Sequence, residues 1–279
     1  MKLHSARLLV MAALLAAVLA MPVAARAADM YYVSLGDSLA AGFQPDGTLA
    51  QGYADQLFET LHDTNPDLQL KKLGCYGETT ATMKNGGVCY PPGSSQLDEA
   101  VTFLQNHQGS VALVTIDLGA NDVDCSITRP LDLRCITNAT AAIETNLPTI
   151  LAALRAAAGP GVPIVGMNYY DPFLAFWFQG EGGRAAATDS RQAFLRLNDT
   201  LERIYKTAGS PVADVEGAFS TTDVATRVVV GLPGIGSIPL NVARICQWTW
   251  MCAPPPGPDI HANTEGYGVI TDAFLKALP

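Results

Sequence analysis

The sequence predicts an α/β fold built on one parallel sheet, in a single domain that follows residue 27. Three observations carry that expectation. Segments of strand and helix character alternate along the chain, which builds a parallel sheet with helices on both faces. Residues 111–118 are nearly unbroken Val, Ile and Leu, as a strand buried on both faces requires. No Ser/Gly/Pro linker and no internal repeat divides the 279 residues, and a 49% hydrophobic content excludes a disordered chain.

The elements follow in order. Residues 1–27 read as a signal peptide: Lys2 and Arg7 make a positive start, 8–20 an apolar run, and Ala25-Arg26-Ala27 a small-x-small cleavage site. The run is short for a bilayer span, and a retained anchor is the alternative. The expected product is a secreted (extracellular) domain of residues 28–279 with no integral membrane segment. A first strand at 30–35 ends at Gly36, and a helix at 52–62 aligns Tyr53, Leu57 and Leu61. A second strand, 68–73, stops at Gly74. Ser94 is the expected cap of a helix carrying Leu97, Val101 and Leu104.

After the strand at 111–118, a helix over 137–158 contains Pro148 and ends at Gly159. Residues 162–167 form a fourth strand. The helix over 188–208 aligns Phe194, Leu197, Leu201 and Ile204. A fifth, weaker strand at 211–215 precedes a long irregular loop. A last amphipathic helix over 264–278 runs through Tyr267, Ile270, Phe274 and Leu278.

Charge narrows the partners. The net charge is −9, from 17 Lys+Arg against 26 Asp+Glu, so nucleic acid is excluded as a partner. Signal cleavage would remove three positive charges and no acid. The six cysteines lie in the mature part and lack the Cys-x-x-Cys spacing of a metal site. In an exported chain they oxidise, and pairing of sequence neighbours gives Cys75–Cys89, Cys125–Cys135 and Cys246–Cys252.

In parallel sheets ligands bind beyond the carboxyl ends of strands, so the strand-to-helix turns hold the candidates. The first reads Gly36-Asp37-Ser38-Leu39, where Ser38 is either a nucleophile or a helix cap. The second, Gly74-Cys75-Tyr76-Gly77-Glu78-Thr79, holds glycines that let backbone approach a ligand or simply turn. The third is Leu118-Gly119-Ala120-Asn121-Asp122, where Asn121 either donates its amide to an oxyanion or caps a turn. A serine nucleophile needs a base. His62 and His107 sit in or at the end of helices, which leaves His261, in Asp259-Ile260-His261, as the candidate. Neither His-x-x-x-His nor a carboxylate cluster is present, so no metal and no cofactor is expected.

Gly36-Asp37-Ser38-Leu39, Gly77-Glu78-Thr79, Gly119-Ala120-Asn121-Asp122 and Asp259-Ile260-His261 occur in the order and spacing of four blocks. Together they resemble the SGNH hydrolases, the GDSL lipase/esterase family, over nearly the whole mature chain. The cysteine pairs are similar to those of its secreted actinobacterial lipase branch. The resemblance implies a flavodoxin-like three-layer α/β/α sandwich around a five-stranded parallel sheet. It implies a serine ester hydrolase (lipase/esterase) without cofactor, a monomer acting on a small-molecule or lipid ester. Ser38 would be the nucleophile and His261 the general base, with an oxyanion hole from the N–H groups of Ser38 and Gly77 and the Asn121 side chain.

One block departs from the pattern. The family's acid usually stands three residues before the histidine, where this chain has Pro258. Either Asp259 or a backbone carbonyl therefore orients His261. The alternatives to a lipase/esterase are a carbohydrate acetylesterase and a non-catalytic secreted binding protein on the same fold. Trp248 and Trp250, inside the Cys246–Cys252 segment, form either a local hydrophobic plug or part of the substrate wall.

Overall fold

The computed structural model describes residues 30–91, 93–123, 133–229, 236–253 and 257–279. Its centre is a five-stranded parallel sheet of β1 (Met30–Gly36), β2 (Leu68–Lys72), β3 (Val111–Asp117), β4 (Ile164–Met167) and β5 (Val212–Ala213), in the order β2-β1-β3-β4-β5. Its elements include α1 (Ser38–Ala41), α2 (Tyr53–His62), α3 (Thr80–Asn85), α4 (Gln96–Asn106), α5 (Leu133–Ala158), α6 (Gly180–Thr207), α7 (Val215–Ala218), α8 (Leu240–Trp248) and α9 (Thr264–Ala277). Helix α2 packs against α9, while α5 packs against both α4 and α6. This is the expected three-layer α/β/α sandwich.

The strand order places the site. From β1 the chain steps outward to β2, then returns past β1 to β3 and continues the other way. The connections therefore diverge between β1 and β3 and leave a crevice at their carboxyl ends. The register sets Gly36 level with Asp117, so the turns that follow the two strands open side by side. Interior strands explain the continuous apolar run: Val114, Ile116 and Val33 are fully buried.

The structure corrects several boundaries. Ser95, not Ser94, caps α4, its side chain accepting from the Asp98 N–H. Helix α5 starts at Leu133 and runs through Pro148. Helix α6 starts at Gly180, eight residues before the expected start at 188. The reason is packing, because a Cβ on Gly183 would lie 2.1 Å from the Phe176 carbonyl of the adjoining 3-10 turn (Pro172–Phe178). The long irregular loop contains α7, an antiparallel pair of β6 (Arg227–Val229) and β7 (Ser237–Pro239), and α8. Residues 1–29, and with them the signal-peptide expectation, lie outside the described residues. So does Cys125, and therefore the Cys125–Cys135 pairing. Cys75–Cys89 and Cys246–Cys252 are bonded as expected. Among the described residues no helix is long and apolar enough to cross a membrane.

Candidate active site

Ser38 begins α1 directly after β1. The turn demands Gly36, whose φ is +130° and whose Cβ would lie 2.0 Å from the Asp117 carbonyl. Asp37 caps α1 by accepting from the Leu39 N–H (2.9 Å) and also takes the Tyr169 hydroxyl (2.9 Å). Asp117 accepts from the Tyr53 hydroxyl (2.8 Å) and the Ala40 N–H (3.2 Å). Buried Gln96 accepts from the Gly36 N–H (2.6 Å) and donates to its carbonyl (2.9 Å) and to Glu78 (2.9 Å). Burial pushes the Asp37 carboxyl up, and it pushes Asp117 well above the ordinary carboxylate range, with the nearby Asp37 charge adding to the rise.

His261 comes from the segment before α9. Its Nε2 lies 2.8 Å from Ser38 Oγ and its Nδ1 lies 2.6 Å from Asp259 Oδ1. The same Oδ1 accepts from the His261 backbone N–H at 2.9 Å. A carboxylate facing Nδ1 selects the tautomer with its proton there, which leaves Nε2 to accept from the serine hydroxyl. The structure thus brings Ser38, His261 and Asp259 into one line despite the Pro258 departure. Ser38 and His261 are each 8% exposed, open enough to be reached and dry enough for electrostatics to count.

Backbone bonds fix this segment to the disulfide-closed one. The N–H of Trp250 donates to the His261 carbonyl (3.1 Å), that of Asp259 to the Trp250 carbonyl (3.2 Å), and that of Asn263 to the Trp248 carbonyl (3.0 Å). Tyr170 donates its hydroxyl to the Ile260 carbonyl at 2.9 Å. The Phe43 ring lies against the imidazole, centroids 4.5 Å apart.

The other two blocks interlock. Asn121 donates its amide to the Glu78 carbonyl (3.0 Å) and lines the cleft, with a second N–H remaining on Nδ2. Asp122 accepts from the Thr80 N–H (2.9 Å) and hydroxyl (2.6 Å). Gly74 is glycine because α1 packs on it, a Cβ there meeting the Ala41 nitrogen at 2.5 Å. Gly77 has φ +77° and open space around it, but it is not among the residues lining the cleft.

The cleft beside Ser38 encloses about 550 Å3 to its open mouth. Val123, Tyr169, Tyr170, Phe173, Phe194 and Ile260 form its apolar wall. Trp248 and Trp250 are not among its lining residues. Trp248 packs edge-on against Phe219 (5.2 Å), under the Arg244 guanidinium, and donates to Glu265 (3.0 Å). Trp250 donates to Gln44 (2.8 Å), tying the disulfide segment to the chain just after α1. Their side chains are engaged with Phe219, Arg244, Glu265 and Gln44 outside that lining. The aromatic wall comes instead from Asn168-Tyr169-Tyr170, the turn after β4. The rule that ligands gather at strand ends could have found it there.

A family model described as the GDSL-like lipase/acylhydrolase family matches residues 34–269. No curated protein sequence matches the chain. An alpha/beta hydrolase enzyme from the metagenome of Lake Arreo, Spain, is similar in structure, with 21% identity and a TM-score of 0.50 over 90% of this chain and 95% of that one. A variant of an acetyl xylan esterase from Geobacillus stearothermophilus gives 16% identity and a TM-score of 0.53 over 90% and 94%. At such identities the likeness is one of fold.

Proposed function

The chain belongs to the GDSL-like lipase/acylhydrolase family, and from that premise we propose that it is a secreted serine hydrolase of aliphatic carboxylic esters. The observation that carries the reading is the Ser38–His261–Asp259 line, with contacts of 2.8 and 2.6 Å. Ser38 Oγ attacks the ester carbonyl carbon while His261 Nε2 takes its proton. Asp259 holds the imidazole in the reacting tautomer and stabilises the imidazolium. The tetrahedral oxyanion is received by the second N–H of Asn121 and the backbone N–H of Ser38, which both line the cleft. The Gly77 N–H expected from the resemblance joins them only if its turn moves toward the serine.

Collapse expels the alcohol, which takes its proton from His261 and leaves an acyl group on Ser38. Water, deprotonated by the same nitrogen, then releases the acid. Residues 1–27 direct export, and the two observed disulfides suit an oxidising compartment.

The wall favours an aliphatic acyl group over a sugar. Its two phenols already have partners, the Tyr169 hydroxyl on Asp37 and the Tyr170 hydroxyl on Ile260. A fluorophosphonate probe tests the chemistry. Labelling that Ser38→Ala abolishes is the expected result, and folded wild-type protein that resists labelling would count against hydrolysis and for a non-catalytic binding protein.

A further inference from the structure

A second space lies on the far side of Ile260 from the serine. It is an open groove of about 1570 Å3 whose walls come from the 3-10 turn, the β6–β7 pair, α8 and the disulfide segment. Phe176, Phe178, Val228, Ile238 and Met251 face it. Gln179 and Gln247 supply its polar side chains, and among the described residues none that lines it is charged. Ile260 is 41% exposed and lines both this groove and the catalytic cleft, so the two spaces meet at one side chain. That side chain immediately precedes the base.

The order of these parts assigns direction. The oxyanion donor Asn121 and the wall made by Val123, Tyr169, Phe173 and Phe194 belong to the cleft. The leaving oxygen must point at His261 Nε2, since that nitrogen returns the proton. Ile260, next to that base in the chain, lines both spaces and so offers the group attached to that oxygen a route from the cleft into the groove. We infer that the groove beyond Ile260 binds the apolar chain of the leaving alcohol, making the natural substrates esters of long aliphatic or lipid alcohols with the acyl group seated in the smaller cleft.

This rests on the ester-hydrolase reading and goes beyond it, because it divides the substrate between two spaces. A sugar leaving group would set its hydroxyls against Phe176, Phe178, Val228 and Met251, with only Gln179 and Gln247 to offer side-chain partners. An alkyl chain there loses water and nothing else.

Two matched ester series separate the halves of the substrate: acetates of alcohols of increasing chain length, and methyl esters of acids of increasing chain length. Along the acetate series kcat/KM is expected to rise by up to about fourfold for each methylene buried, until the groove is filled. The methyl-ester series should reach its plateau after fewer carbons. Phe178→Gln and Met251→Gln, both at partly exposed positions, should flatten the first slope and spare the second. Inhibition of the wild-type enzyme needs no variant: 1-dodecanol should compete with substrate at lower concentration than dodecanoate. A flat acetate series, or a steeper methyl-ester series with dodecanoate the better inhibitor, overturns the groove assignment while leaving ester hydrolysis intact. Failure of the short acetates together with failure of Ser38 labelling overturns both.

Discussion

The turn that carries Ser38 and the segment that carries His261 meet across one 2.8 Å contact, yet they are held by different means. The serine turn hangs between the two central strands, and buried side chains from distant elements clamp it. Gln96 grips both sides of Gly36, while Asp117 and Tyr169 fasten the first turn of α1 and its cap. The histidine segment lies outside the sheet. Backbone bonds to the neighbouring disulfide-closed segment hold it, with Tyr170 reaching up from the core. The contrast teaches that the nucleophile is set by the global fold, whereas the base is set by a local brace that can loosen without unfolding the sheet.

The largest effects remove the contact itself. Ser38→Ala and His261→Ala should each lower kcat/KM by about 10^4-fold or more, with thermal melting by circular dichroism close to wild type. A well-folded His261→Ala enzyme that retained activity would show that another group is the base.

Asp259→Asn probes the brace from inside. Asparagine can still accept a bond, but it no longer enforces the reacting tautomer, and the expected loss approaches about 10^4-fold. Steady-state kinetics that showed only a few-fold loss would mean that the backbone alone orients the ring. Asn121→Ala removes one oxyanion donor and should cost about 100- to 1,000-fold in kcat with little change in KM.

A smaller pair of effects contrasts the two supports directly. Gln96→Ala strands the Gly36 N–H and carbonyl in the core and should cost about 1–3 kcal/mol of global stability in urea. Replacing Cys246 and Cys252 together by serine opens a six-residue loop and should cost about 2 kcal/mol by the chain-entropy model. Its distinguishing mark is a fall in kcat larger than the Gln96→Ala enzyme shows, because the disulfide-closed segment that braces His261 loses its staple. Equal falls would erase the proposed distinction.

The smallest effect concerns pH. Asp37 and Asp117 have folded-state pKa values raised by burial above an ordinary value of 3.8, so the folded protein binds more protons than the unfolded chain above about pH 4. Their contribution is present at low pH and is lost as pH rises through the folded values. Asp117→Asn should flatten that decline in denaturant midpoints between pH 4 and 8. A variant that kept the wild-type slope would place its source elsewhere.

Much of this was written in local sequence. The alternation of segments determined the parallel sheet, and the turns after the first three strands announced themselves by glycine-containing motifs, because short-range sterics govern such turns. Ser38 and Asn121 stood out as candidates for that reason, His261 by elimination among the histidines, and the two observed disulfides by the pairing of sequence neighbours. The helix start at Gly180 was not legible. Glycines argue against helix locally, and only the close approach of Phe176 makes Gly183 necessary.

Tertiary structure alone decided the remaining questions. Whether Asp259 reaches the imidazole depends on the angle at which one irregular segment lies on another, and no residue pattern encodes that angle. The Trp248 and Trp250 rings could form plug or wall by sequence, and side-chain partners from distant elements, Phe219 and Gln44, hold them outside the cleft lining. The full apolar wall, from Val123 to Ile260, and the groove beyond Ile260 each join residues more than 80 positions apart. Sequence determines which residues can turn, cap or react; packing between elements distant in the chain determines which of them face one another.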